Sequence, residues 1–329
     1  MKTFIDLCCR INVRRSDEIF YNSHKISLMK ALILGSKGFI GQHLTNHFRK
    51  IGYNTWCADV ITEYVNNEQY FLIDASNSDF SAVFQNEYYD ICINCSGAAS
   101  VPDSLINPFR DYYLNTVNVF KILEAIRKYQ PSCKFMNLSS AAVYGNPKCL
   151  PVKESDLPNP LSPYGVHKYQ SEQVCREFFD FFGIKTCSLR IFSVYGTGLR
   201  KQIFWDLHNK VKALIPFTLF GTGNESRDFI HVLDLVEAID LIAKFSKFNS
   251  EVINVANGQE VFIKDVIEIY LSFFNRDINY TYLGSSRKGD PTNWLADIRK
   301  LQSFGYKPQV TMKTGLKGYF EWITSNNLE

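Results

Sequence analysis

The chain has 329 residues, 46% hydrophobic and 21% charged, with a formal net charge of +3. Such a length suits one large α/β unit with an appended lobe, or two domains, and the balanced charge gives no reason to expect nucleic acid or an anionic membrane as partner. No apolar run reaches the ~18 to 20 residues that span a bilayer, and Asp6 and Arg10 interrupt the opening stretch where a signal peptide needs an unbroken apolar segment, so a cytoplasmic protein is expected.

Residues 1–28 fit no element, while Met29 directly precedes the first strand pattern, so 1–28 reads as an N-terminal extension, disordered or a mis-assigned start, without assigned role. "KALILG" (30–35) is a short apolar run closed by glycine, and "KGFIGQHLTNHFRKIG" after it places Phe39, Ile40, Leu44 and Phe48 at helical spacing. "YNTWCAD" (53–59), "EQYFLID" (68–74) and "YYDICINCSG" (88–97) read as further strands, and 109–129 as one long amphipathic helix. "CKFMNLSS" (133–140), a helix over 163–182 and "IKTCSLRIF" (184–192) continue the alternation. Strands alternating with helices of this length predict an α/β fold with a doubly wound parallel Rossmann sheet. After about residue 195 the rhythm loosens into Gly-rich turns. The expected division is therefore a first domain over 29–195 and, over 196–329, mainly a smaller C-terminal lobe, with some elements returning to the first domain.

Nine scattered cysteines, an odd number, suit a reducing compartment better than a disulfide framework. "CINC" (92–95) lies in a strand pattern with no second ligand pair, so both thiols read as buried and structural. His43 and His47 stand four apart in "HLTNH", which lacks the glutamate of a zincin helix, and read as two solvated histidines. No metal is expected.

In "GSKGFIG", Gly35, Gly38 and Gly41 stand between a strand and a helix. Such glycines permit a tight turn and let backbone N–H groups approach a pyrophosphate at the helix N-terminus. Asp59 ends the next strand, where a carboxylate accepts hydrogen bonds from ribose hydroxyls and repels a 2′-phosphate, favouring NAD over NADP. In "YGVHK", Tyr164 and Lys168 are four apart and share a helix face. An ammonium there is expected to favour phenolate and bring the tyrosine below its ordinary pKa of ~10, toward a useful general base. The preceding "NLSSAAVYG" is a strand end that can present Ser140 beside it.

Together "GSKGFIG", "NLSSAAVYG", "SPYGVHK", "RIFSVYGTGLR" and "RDFIHVLDLVEA", in order from Met29 to about residue 308, resemble the extended short-chain dehydrogenase/reductase family, the NAD-dependent epimerases and dehydratases of nucleotide sugars. The resemblance implies that Tyr164 is the catalytic base, that Lys168 orients the nicotinamide ribose, and that Ser140 binds the reacting hydroxyl, with Ser139 structural and Tyr144 a loop support. It also implies NAD contacts from Phe39, Ile40, Asp74, Ser96, Gly97 and Asn115, and substrate-diphosphate contacts from Arg227 and Arg287. Ser193 stands where many members have Asn. Dehydratases of this family carry an Asp-Glu pair after the catalytic Ser or Thr, and here those positions are Ala141 and Ala142. The resemblance therefore favours a nucleotide-sugar epimerase acting at C4 through a 4-keto intermediate. An NAD(P)H-dependent reductase of a 4-keto-6-deoxy sugar is the alternative, and a non-catalytic NAD-sensing protein a third reading. Surplus apolar residues at Tyr112, Tyr113, Phe178, Phe179 and Phe182, with the family's habit of pairing these helices, imply a homodimer.

Overall fold

The computed structural model describes residues 29–64, 69–213, 216–285, 287 and 289–325. The extension expected at 1–28, with Cys8 and Cys9, lies outside them. Among the described residues twelve strands are formed, β1 (Lys30–Leu34), β2 (Asn54–Asp59), β3 (Tyr70–Leu72), β4 (Ile91–Asn94), β5 (Lys134–Ser140), β6 (Thr186–Ile191), β7 (Ser193–Tyr195), β8 (Phe217–Leu219), β9 (Ser226–His231), β10 (Asn249–Val255), β11 (Glu260–Phe262) and β12 (Tyr280–Tyr282). The α-helices are α1 (Phe39–Lys50), α2 (Ser81–Asn86), α3 (Val101–Ile106), α4 (Pro108–Tyr112), α5 (Asn118–Tyr129), α6 (Pro163–Phe182), α7 (Gln202–Lys212), α8 (Val232–Phe245), α9 (Ile263–Leu271), α10 (Arg299–Gln302) and α11 (Met312–Ser325).

Seven strands form one sheet in the order β10-β6-β5-β4-β1-β2-β3, every pairing parallel. A parallel sheet covered on both faces needs strands apolar on both sides, which is how β1 and β4 read. Ala31 and Ile33 enter one buried cluster while Leu32 and Leu34 enter another across the sheet. The chain runs from β1 outward to β3, then returns to β4 on the other side of β1. Strand order thus reverses between β1 and β4, the position where open α/β sheets hold ligands at their carboxyl ends.

After β7 most of the chain builds a smaller unit. A three-stranded sheet, β11-β9-β7, and a parallel pair, β12-β8, surround a third buried cluster that includes Phe204, Leu207, Tyr270, Leu316 and Tyr319. Two elements go back to the large sheet: β10 pairs with β6, and α8 packs against α1.

The helix expected over 109–129 is interrupted. Between α4 and α5, Tyr113–Val117 forms a π turn in which the Asn118 amide donates to the Tyr113 carbonyl. The extra residue in that turn keeps Asn115 and Thr116 buried, and the Thr116 hydroxyl donates to the His167 carbonyl of α6 at 3.0 Å. All seven cysteines among the described residues are free thiols. No helix among the described residues is long and apolar enough to cross a membrane.

Candidate active site

The glycine turn after β1 is held from below. Gly35 has φ +75°, its amide donates to the Ala58 carbonyl at 2.8 Å, and a Cβ on it would lie 2.6 Å from the Ser96 nitrogen. Gly41 faces the same turn: a Cβ there would lie 2.0 Å from the Gly35 carbonyl oxygen, so strand end and helix start close on each other only as glycines. Gly38 caps α1 without any side-chain cap, and the first turn carries no acidic residue. The amides of Phe39, Ile40 and Gly41 therefore have no intrahelical acceptor and present positive partial charge. At the end of β2, one oxygen of Asp59 accepts from the Lys37 amide at 2.8 Å and the other from the Val60 amide at 2.7 Å, aiming the carboxylate at the rim of the turn. Asp74, past β3, is exposed, and its carboxylate binds the Ser76 amide and hydroxyl, which hold its pKa below the usual range.

After β4, Ser96 is anchored by Asn94, and Gly97 adopts φ +118°. A Cβ on Gly97 would sit 2.6 Å from Asn115 Oδ1 and 3.6 Å from Lys168 Nζ. The end of β4, the π turn and α6 thus meet at one glycine. Both amide atoms of Asn115 are buried without a protein partner, as suits a side chain that completes its hydrogen bonds on a bound molecule. The uncapped helix start, the rim carboxylate and this orphaned amide fit a dinucleotide.

Ser140 ends β5, and its hydroxyl accepts from the Ala142 amide at 3.1 Å, starting the 3-10 turn Ala141–Val143. Tyr164 lies in the first turn of α6, which Ser162 caps by accepting from the Gly165 amide at 3.2 Å, and its hydroxyl interacts with that of Ser140. One turn on, buried Lys168 donates to the Leu138 carbonyl of β5 at 2.9 Å, with Nζ 6.0 Å from the Tyr164 ring centroid. Strand end and helix start therefore bring the three residues together.

The electrostatics correct one expectation. Burial pushes the Tyr164 phenol up to about 12, opposed by the Ser140 hydroxyl and reinforced by Asp111. Burial also pulls Lys168 down to about 8, against the fields of Asp111, Cys95 and Glu172. The Tyr164 phenol thus stands above, not below, its ordinary value in the protein alone, because desolvation is the largest influence on it.

Ser139 and Tyr144, beside this group, are engaged in buried contacts. Ser139 donates to Glu172 at 2.6 Å, and Glu172 forms a buried ion pair with Arg190 at 2.7 Å. Tyr144 is buried, donates to Asn254 at 2.7 Å, and lies under the Arg190 guanidinium. In the smaller unit, Arg227 donates to the carbonyls of Ser226 and Thr292, and Arg287 stacks 4.3 Å over Phe220. Both arginines lower the pKa of Asp290, which burial raises, so the three charges converge. Ser193, half-buried, opens β7.

The two histidines of α1 are not solvated. His43 bonds the Thr197 carbonyl at 2.8 Å, and the His47 side chain is only 11% exposed, 3.7 Å from Glu237. His47, Glu237 and Asp240 bring potential ligand atoms within 4.8 Å of one another, but Asp240 already accepts from Tyr53 at 2.8 Å and pairs with Lys244 at 2.5 Å. Sequence reading also missed Asp111, whose buried carboxylate meets His167 at 2.6 Å. The two are 56 positions apart, and nothing local in the sequence joins them.

A parallel doubly wound sheet with a glycine turn at its switch point and a Ser-Tyr-Lys group beside it defines a Rossmann-type dinucleotide enzyme. The pattern of the NAD dependent epimerase/dehydratase family matches residues 31–256, and the chain belongs to that family, as an NAD-dependent epimerase of the extended short-chain dehydrogenase/reductase type. It is 29% identical over 309 residues to a putative UDP-glucose 4-epimerase of Methanocaldococcus jannaschii, covering 90% of this chain and 99% of that one. It is 30% identical over 309 residues to the UDP-glucose 4-epimerase of Lactobacillus helveticus, covering 85% and 92%. The UDP-glucuronic acid 4-epimerase of Bacillus cereus, solved with UDP-glucuronic acid and NAD, superposes with a TM-score of 0.82 at 28% identity, covering 91% of this chain and 100% of that one.

Proposed function

We propose that this protein interconverts UDP-hexoses that differ at C4. The observation that carries the reading is the meeting of Ser140, Tyr164 and Lys168 at the carboxyl end of β5, with Ala141 and Ala142 where an elimination would need acids. NAD, when bound, supplies reversible hydride transfer. Tyr164 takes the proton of the C4 hydroxyl and later returns it, so one group serves as base and then as acid. Ser140 holds the reacting oxygen, and Lys168, fixed by Leu138, holds the nicotinamide ribose. Gly35, Gly38, Phe39, Ile40, Gly41, Asp59, Asp74, Ser96, Gly97 and Asn115 line the dinucleotide in this reading. Arg227 and Arg287 grip the substrate diphosphate from the smaller unit, with Ser193 at its inner edge, since forked guanidinium donors suit phosphate oxygens. Residues 29–195 then form the cofactor domain and 196–329 mainly the substrate lobe.

The same reading makes the protein a cytoplasmic homodimer. Ile106 of α3, Phe109 of α4 and Phe181 of α6 are largely exposed, apolar side chains of the sort that a second copy covers. Phe178, expected among these, is instead buried in the core against Phe120.

The deciding experiment incubates the protein with UDP-, GDP-, CDP- and dTDP-sugars without reductant and follows mass and stereochemistry by mass spectrometry and NMR. An isomer of unchanged mass is the expected product. Conversion only with NADH or NADPH and a 4-keto sugar, with a gain of two mass units, would make the protein a reductase. Tyr164→Phe should lower turnover by about 10²- to 10⁴-fold while NAD affinity, read by fluorescence quenching, is unchanged.

A further inference from the structure

Beside the Ser-Tyr-Lys group lies a buried charge that the mechanism above does not use. Asp111, in α4, is 0% exposed. Its Oδ1 meets Nδ1 of His167 at 2.6 Å, and its Oδ2 has no protein partner. His167 directly precedes Lys168 on α6, its carbonyl accepts from Thr116, and its ring packs edge-on against Tyr112 at 5.3 Å. The pair therefore ties α4 and the π turn that carries Asn115 to the helix that carries Tyr164 and Lys168. A carboxylate buried with one oxygen unsatisfied destabilises the fold unless something nearby benefits from its charge.

The surrounding charges leave few candidates for that benefit. Arg110 is turned away to Asp103 at 3.1 Å, and Glu172 is held by Arg190 from β6 at 2.7 Å. The phenol of Tyr113 accepts from Lys121 at 2.8 Å. Among the described residues, Tyr112 packs on the His167 ring, and the field of Asp111 raises the pKa of both Tyr164 and Lys168 of α6.

Resting on the epimerase reading of the same site, we propose that Asp111, oriented by His167, is a positioning residue that keeps Lys168 cationic and sets the pH range in which the Tyr164–Lys168 pair works. Burial alone drives Lys168 toward its neutral form, and a fixed negative charge beneath the helix opposes this. Because that charge disfavours loss of the proton from both groups, removing it should move both titrations in one direction, toward acid.

The test is Asp111→Asn, which keeps an oxygen to accept from His167 and deletes the charge. The Lys168 midpoint is read from the ¹³Cε shift of lysine-labelled protein, assigned by its absence in Lys168→Arg, alongside the pH profile of kcat/KM. We expect the midpoint and both limbs of the profile to fall by about 1 pH unit, with the maximum little changed. His167→Asn, which keeps a donor at the Nδ1 position, should leave the lysine midpoint in place. Should Asp111→Asn fail to fold, Asp111→Ser removes the same charge with less bulk and carries the same expectation. Curves that superimpose on those of the unmutated protein would reduce the pair to a structural tether and overturn the proposal, as would an equal shift from His167→Asn. If the unmutated protein converts no nucleotide sugar, the proposed function fails, while the lysine titration still decides this proposal.

Discussion

Gly41 shows how little freedom single positions have around the cofactor turn. Its missing Cβ would lie 2.0 Å from the Gly35 carbonyl, a backbone atom that cannot move without shifting the β1–α1 connection. Gly41→Ala should therefore destabilise the fold by about 1 to 3 kcal/mol and weaken NAD binding, measured by urea unfolding and by fluorescence titration. An alanine variant that binds NAD as before would show that the turn tolerates opening. The glycine turn and the place of Asp59 at the end of β2 were legible from sequence because both follow from backbone geometry within one strand-turn-helix unit. The protonation of Tyr164 was not. Spacing showed that Lys168 shares its helix face, but the sign of the shift depends on how much solvent the fold removes from both side chains, and burial prevails.

At the scale of elements, α6 matched the range read from the sequence, since Ser162 caps it and Gly183 in the left-handed region ends it. The segment 109–129 did not, because a π turn is a change of hydrogen-bond partner that leaves no mark in apolar periodicity. Its cause is tertiary: Thr116 and Asp111 both bond to the backbone or ring of His167. The same helices bear the prediction about assembly. Phe109 is 78% exposed and Phe181 79% exposed, so replacing both with Glu should leave the monomer folded. Light scattering is expected to give twice the chain mass for the unmutated protein and the chain mass for Phe109→Glu/Phe181→Glu. A monomer in both cases would remove the dimer.

Across the whole molecule, one of the passages between the smaller unit and the large sheet is where β9 runs into α8, and His231 sits there. It is buried, lies edge-on to Tyr195 at 5.2 Å, and caps α8 by accepting from the Leu233 amide. Burial, with a lesser contribution from His43, lowers its pKa from 6.5 to about 4. The folded state thus keeps the ring neutral while the unfolded chain takes up a proton first. This stabilisation is complete above pH 6.5 and is lost as pH falls toward 4, at up to about 1.4 kcal/mol per pH unit. His231→Asn keeps a capping oxygen and cannot titrate, so its urea midpoint should fall less steeply than that of the unmutated protein between those pH values. Parallel curves would show that other groups carry the acid sensitivity.

The sequence by itself determined the alternation of strands and helices, the parallel sheet, the glycine turn and the shared helix face of Tyr164 and Lys168, because each is set by period, spacing or a glycine within a short stretch. Only the tertiary structure decided which strands are neighbours, that β10 and α8 return to the large sheet, that His43 and His47 are packed rather than solvated, and that Asp111 meets His167. Those outcomes depend on contacts between residues far apart in the chain and on the water those contacts exclude, and neither quantity is written in any local pattern of residues.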